Sequence, residues 1–235
     1  MSRRPALALT LVAALALGAC GDGGNGGNGG DGGTDRSAEP AGVLSVDEIE
    51  DILLPLGTTV GAATTDQKDG TDFIDGRVAS PASCQPLSAI VALEPTPVRA
   101  DRVAAAVPTG LPFGDVQVLT YAGDDAATVF AAVDRAIDDC AEGFATELIR
   151  SYEVREVVRD AAPALGDEAL AFGLLTHDAD EEEPIDEHEY RVLVRDGQQL
   201  LSWRATGFED DGAVEARALL EAFVAAQWER YAERR

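Results

Sequence analysis

Basic residues are scarce in this chain. Lysine and arginine together number 18 against 43 aspartates and glutamates, a formal net charge of -25. So negative a surface is repelled by phosphate backbones, which argues against nucleic acid as a partner. It equally disfavours adhesion to anionic lipid through side chains. Lys68 is the only lysine, and with abundant Ala, Gly and Asp this arginine bias fits a GC-rich genome of the actinobacterial kind. Histidine is scarcer still: His177 and His188 are the only two, so any His-dependent catalysis has to run through one of them. No G-x-S-x-G is present to form a nucleophile elbow. His188-Glu189 opens like a zinc-protease motif, but Tyr190-Arg191-Val192 follows without a second histidine. Paired carboxylates for glycoside hydrolysis do not stand out among 43 acids without geometry. The expectation is a protein that is not an enzyme and carries no cofactor.

A membrane-spanning run is also missing near the start of the chain. Ala6 to Leu17 is apolar over about a dozen residues, the length of a signal h-region and too short to cross a bilayer. Met1-Ser2-Arg3-Arg4 precedes it as a positive n-region, and Leu17-Gly18-Ala19-Cys20 closes it. This order resembles the lipobox of bacterial lipoproteins, which implies cleavage before Cys20 and diacylglycerol on its thiol. Two acyl chains hold a protein on a membrane where one binds only marginally. The expectation is a lipoprotein signal peptide at residues 1–19 and a protein anchored at Cys20 on the extracytoplasmic face of the cell membrane.

Cysteine is as sparing. With Cys20 lipidated, Cys84 and Cys140 remain as a pair in an oxidising compartment, where a disulfide is the default. Free buried thiols are the alternative reading, whereas a redox or metal-binding pair lacks C-x-x-C spacing.

After Cys20 comes a tether, residues 20–42, that includes Gly23-Gly24-Asn25-Gly26-Gly27-Asn28-Gly29-Gly30. It has no large apolar residue with which to hold a core, and a Gly-rich linker of this length reaches roughly 25 Å root-mean-square. The remainder, residues 43–235, is read as one domain of about 190 residues, long enough to bury a real core. No internal repeat is visible.

The elements follow from local pattern. Ser45-Val46-Asp47-Glu48 is a capping box, with Ile49, Ile52 and Leu53 at helical spacing and Pro55 and Gly57 ending the helix. Thr58 to Gly70 reads as a loop, Phe73 to Val78 as a strand, and Pro81-Ala82-Ser83-Cys84 as a turn into a helix through Leu87, Ile90 and Val91. Arg99 to Val107 reads as a helix and Val116 to Tyr121 as a buried strand. A long helix follows, capped by Asp124 or Asp125, with Val129, Val133, Ile137, Cys140 and Phe144 on one stripe. Arg150 to Val158 is a strand, Pro163 to Asp167 a turn, and Leu170, Phe172 and Leu174 alternate as a half-buried strand should.

A type I′ turn at Asp196-Gly197 predicts a hairpin in which Arg195 faces Gln198, Leu193 faces Leu200, Val192 faces Leu201, Tyr190 faces Trp203 and Glu189 faces Arg204. A last helix runs from about Gly212 to Ala232, with Asp210 and Asp211 before it and Arg230, Arg234 and Arg235 near its end. Leu220, Phe223, Val224, Trp228 and Tyr231 are its packing residues. The sum is an α+β fold, a largely antiparallel sheet packed by helices.

The strand and helix ending at Cys140, then Gly166-Asp167-Glu168-Ala169, the hairpin Val194-Arg195-Asp196-Gly197 and the final helix together resemble the PknH-like extracellular sensor domain. The likeness covers roughly residues 80 to 232. It implies an antiparallel sheet with helices, a cleft, disulfides, and binding of an undefined ligand rather than catalysis. Members usually carry two disulfides, and this chain can form one.

Two constellations bear on ligands. From Asp178 as first position, Asp180, Glu182, Asp186 and Glu189 fall at the third, fifth, ninth and twelfth positions of a calcium loop, with Ile185 at the eighth. The sixth position is Glu183 where a sharp turn needs Gly, and the flanks read as strands, so a solvated loop is the favoured reading and no metal is expected. Tyr190 and Trp203 either line a ligand cleft or pack beneath a helix. The functional expectation is an envelope domain that binds a small ligand, with a protein-interaction module as the alternative. A concave apolar pocket marks the first and an exposed apolar patch the second. Converging polar groups in a cleft would mark an enzyme.

Overall fold

Side chains along a strand point alternately to opposite faces, and here both faces are apolar, so helices have to cover both. The computed structural model describes residues 41–69, 78–88, 95–106, 112–147, 151–178 and 185–235. Helix α1 (Val46–Ile52) precedes strands β1 (Thr59–Val60) and β2 (Ala63–Asp69). Strand β3 (Val78–Ser80) leads through a 3-10 turn, Ala82–Cys84, into the short α2 (Gln85–Ser88). Strands β4 (Arg99–Ala106) and β5 (Phe113–Thr120) are followed by α3 (Asp125–Asp139) and β6 (Phe144–Glu147). Strands β7 (Ser151–Asp160), β8 (Glu168–Asp178), β9 (Ile185–Asp196) and β10 (Gln199–Phe208) then run in succession to α4 (Glu209–Arg234). The strands form one ten-stranded sheet in the order β1-β2-β4-β5-β10-β9-β8-β7-β6-β3. Every neighbouring pair is antiparallel. The domain is α+β, as its pattern predicts.

The two faces have separate cores. Leu119, Leu170, Phe172, Leu193 and Leu200 lie on the face covered by α3, in the same apolar cluster as Cys84 and Cys140, which are joined as a disulfide. Val116, Val118, Val192, Leu201 and Trp203 lie on the other face, with α4 and α1 against them. The α1 capping box forms as expected: the Glu48 N–H donates to Ser45 Oγ at 3.3 Å and the Ser45 N–H to Glu48 Oε2 at 2.7 Å. The Ser45 hydroxyl, which donates to Glu48 Oε2 at 2.7 Å, and next the Ser45 N–H hold the Glu48 carboxyl below its ordinary pKa. At its other end α1 is locked to α4 by Gln227, which is fully buried, accepts from the Leu54 N–H at 3.0 Å and donates to the Ile52 carbonyl at 2.5 Å. The Ile52 carbonyl is an orphan group of the helix terminus and the Leu54 N–H lies just beyond the cap, and a side chain from another helix satisfies both.

Several local expectations are corrected. The stretch Thr58 to Gly70 is not all loop, because β1 and β2 form a hairpin whose second strand pairs with β4. Arg99 to Ala106 is a strand rather than a helix. Its alanines favour helix locally, but β2 and β5 bond it on both sides and bury Val103, Ala104 and Ala105 completely. Helix α3 stops at Asp139, so Phe144 belongs to β6, and Asp124 sits at the N-cap without a side-chain hydrogen bond. Helix α4 starts earlier than expected, placing Asp210 and Asp211 inside its first turn.

The β9–β10 hairpin has its loop at Gly197-Gln198, with Asp196 opposite Gln199. Gly197 has φ +60° and Gln198 has no positive φ, which is the type II′ pattern with glycine first rather than type I′. The register is therefore two residues from the expected one. Trp203 faces Val192, Tyr190 faces Ala205, Leu200 faces Arg195 and Glu189 faces Thr206. The expected strand at residues 73–77, the helical continuation through Ile90 and Val91, and the leader and tether up to residue 40 lie outside the described residues.

Candidate functional site

The cavity of this domain begins with a row of small residues. On β8 the large side chains Leu170, Phe172 and Leu174 are buried toward α3. The intervening positions Ala169, Ala171 and Gly173 present almost no volume to the other face. Helix α4 packs over β5, β10 and β9 on that face. Between its flank and β8 a cavity of about 380 Å³ remains.

Three pieces of chain enclose it. Arg217, Leu220, Glu221, Val224 and Ala225 come from α4 at the spacing of one helical flank. Ala171, Tyr190 and Val192 supply the sheet wall. Residues of the β7–β8 connection, including Pro163 and Leu165, close one end. That connection is pinned to β9, because the Asp167 N–H donates to the Arg195 carbonyl at 2.8 Å. Gly166 allows the close approach: its φ is +60°, and a Cβ there would stand 2.5 Å from the Arg195 carbonyl oxygen.

The polar groups of the cavity are few and tied to one another. Arg217 Nη2 lies 3.0 Å from Asp160 Oδ2, and its guanidinium sits 4.4 Å from the centroid of the Tyr190 ring. Burial alone would lower the Arg217 pKa, but the hydrogen bond and charge of Asp160 raise it above the ordinary arginine value. Arg191 borders the cavity through its backbone, since its side chain points to the opposite face from Tyr190 and Val192 and its Nε is bonded there to Glu189. A second hollow, of about 540 Å³, lies where the α3–β6 turn meets β7, but Glu142, Glu153 and Arg155 line it and only Phe144 and Val154 offer substantial apolar surface. Ligand sites are mostly apolar with a few placed polar groups, which favours the first cavity.

The two candidate aromatics part company. Tyr190 lines the cavity. Trp203 is 0% exposed in the core beneath α4, and its indole N–H has no hydrogen-bond partner among the described residues. The other wall residues were missed in the sequence, although the small side of β8 was written there beside the large side.

The acidic segment is the β8–β9 hairpin. Asp178 ends β8 and pairs with Ile185 of β9, while Asp180 and Glu182 lie outside the described residues. Asp186 faces His177 across the ladder, with Oδ1 2.8 Å from His177 Nδ1 and 3.4 Å from Arg155 Nη1. The His177 bond chiefly lowers the Asp186 pKa. Glu189 is buried and turned to Arg191. Among the described residues no cluster of three or more His, Cys, Asp or Glu side chains has the geometry to hold a metal.

On the α3 side of the sheet lies a buried ion-pair group. Arg204 donates to Asp115 Oδ2 through Nε at 2.9 Å and Nη2 at 2.6 Å, and Arg102 approaches the same oxygen at 3.9 Å. Arg204 faces Arg191 directly across the β9–β10 ladder, not Glu189. Each of these like charges has its own acid, Asp115 for Arg204 and Glu189 for Arg191, which offsets the repulsion of an opposed pair.

The fold can be set beside a known one. The crystal structure of the extracellular domain of PknH from Mycobacterium tuberculosis superposes with a TM-score of 0.53 at 10% sequence identity, covering 78% of this chain and 98% of that one. This is the fold that the sequence resemblance implies. No protein-family model and no curated protein matches the sequence. Among the described residues no helix is long and apolar enough to cross a membrane.

Proposed function

We propose that this chain is a non-catalytic, extracytoplasmic ligand-binding domain of the cell envelope, of the sensor type, held to the membrane through lipid on Cys20. The cavity beside α4 is its binding site. The observation that carries the reading is the small residue Ala171 in the sheet wall opposite α4, which leaves a concave, largely apolar volume in the size range of ligand sites. Among the described residues the exposed large apolar side chains Val46, Leu56, Val78, Val98, Val158, Phe208 and Val214 come from different elements, which favours a pocket over a docking patch. The fold shared with the extracellular domain of PknH supports an extracytoplasmic, sensor-like role, and the charge of -25 argues against a nucleic-acid partner.

The test is a titration of the purified chain with Nile red, an uncharged apolar dye. Saturable binding that is lost in Ala171→Trp, where an indole fills the cavity, supports the reading. Equal binding by both proteins removes the cavity as the site. Mass spectrometry of the native protein tests the anchor: a mature N-terminus at Cys20 carrying diacylglycerol is expected, and an unmodified thiol there refutes it.

A further inference from the structure

The charges around the cavity restrict what it can hold. Asp160 and Arg217 form an ion pair at 3.0 Å, and Arg217 already occupies the face of Tyr190. That face and that carboxylate are what a cationic head group would seek, so a cation entering the site has to displace the protein's own guanidinium. Arg191 turns its side chain to the opposite face of the sheet from Tyr190 and Val192, where it is bonded to Glu189, and Glu221 adds a further carboxylate at the cavity. A carboxylate or phosphate head group would therefore meet Asp160 and Glu221 at the site, within a chain of net charge -25. Neither sign of charge is served.

What the site does offer is hydrogen bonding from one place. Arg217 has five N–H donors in a planar fork, and Asp160 and the Tyr190 ring engage only part of it. Its side chain is 47% exposed, so it stands where the cavity opens, while Leu220, Val224 and Val192 line the interior. An uncharged acceptor such as a hydroxyl or an ester carbonyl can take the remaining donors without breaking the Asp160 pair.

We infer that the cavity takes an uncharged single-chain amphiphile, its hydrocarbon against α4 and β8 and its one polar group on Arg217. This rests on the cavity being the binding site, as proposed above. The experiment is displacement of Nile red from the purified full chain by dodecan-1-ol, dodecanoate and dodecyltrimethylammonium, with Ala171→Trp defining the dye bound elsewhere. Dodecan-1-ol should displace the cavity-bound dye saturably, and the two charged probes should require about tenfold higher concentrations or more, the scale of losing one hydrogen bond to a charged group.

A second variant guards against misfolding of the tryptophan replacement. Arg217→Met keeps the length of the side chain and should retain dye binding while weakening dodecan-1-ol about tenfold. Dodecanoate or dodecyltrimethylammonium displacing as well as the alcohol overturns the ligand class but leaves the cavity as the site. Dye binding that Ala171→Trp abolishes but none of the three probes displaces overturns the ligand class and leaves the cavity as the site, whereas dye binding that is equal in wild type and Ala171→Trp overturns both. An Arg217→Met protein that binds the alcohol as tightly as wild type overturns the role of Arg217.

Discussion

Arg217 on α4 lies over the ring of Tyr190 on β9, its guanidinium carbon 4.4 Å from the ring centroid, and reaches past it to Asp160 at the end of β7. One side chain thus ties the helix to two strands along the flank where the cavity opens. Removing it should loosen that flank without unfolding the domain. A half-exposed ion pair and cation–π contact together contribute on the order of 1 kcal/mol. Arg217→Ala should lower the thermal midpoint by only a few degrees and raise amide hydrogen exchange selectively in the α4 turn around residue 217 and in the β7–β8 connection. Uniformly faster exchange across the sheet would show that Arg217 supports the whole fold instead.

Gln227 presents the opposite case, a polar side chain fully buried between two helices. Its amide serves the Leu54 N–H and the Ile52 carbonyl, the loose groups at the end of α1. Gln227→Leu conserves most of the volume but leaves both backbone groups without that partner. The expected cost is about 2 to 6 kcal/mol, one to three for each of the two buried groups left unsatisfied. Chemical denaturation should show the midpoint shift with an unchanged slope. A loss below half a kcal/mol would mean that water replaces the amide.

The faces of this sheet could be read from its sequence more surely than its pairings. The β9–β10 register is two residues from the expected one because Asp196-Gly197 reads as the loop when the loop is Gly197-Gln198. Since side chains alternate with period two, a slip of two leaves every residue on its expected face. Leu193 and Leu200 therefore do face α3, and Val192 and Leu201 do face α4, although neither pair is directly opposed. Arg99 to Ala106 was illegible for another reason. Alanine suits a helix, and only the strands on either side, distant in sequence, decide otherwise. The cavity combines both lessons. The small residues of β8 can be read from the sequence, but a void exists only because α4 stops short of covering them, and nothing local to β8 encodes where α4 lies.

The disulfide joins the turn before α2 to the end of α3, within the apolar cluster on that face. It closes a loop of 56 residues, for which chain entropy sets an upper limit of about 4 kcal/mol. Replacing both cysteines by serine also places two hydroxyls in an apolar cluster, so Cys84→Ala with Cys140→Ala is the cleaner variant. It should lose about 2 to 4 kcal/mol, and the wild type in reductant should lose a similar amount. Equal stability with and without reductant would show that the bridge contributes nothing to the fold.

Asp167 should give the domain a readable response to acid. Its Oδ2 accepts the Gly197 N–H at 2.9 Å and lies 3.1 Å from Arg195 Nη1. The Gly197 bond is the main cause that lowers its pKa below the ordinary aspartate value; burial opposes it, and Arg195 and Arg235 add to the lowering. A carboxyl whose folded pKa is depressed stabilises the fold above its unfolded pKa, about 3.9, and that contribution fades as pH falls through the folded value. The wild-type curve alone does not isolate this, because protonating a chain of net charge -25 also relieves repulsion over the same range. The difference between wild type and Asp167→Asn does. At pH 7 the variant should be the less stable of the two, and the gap should close as pH falls below 4, where the wild-type carboxyl becomes neutral as well. Thermal melts of both proteins between pH 7 and pH 2.5 provide the measurement, and a gap that stays constant across that range would show that the Asp167 charge plays no part in holding the β7–β8 connection to the hairpin.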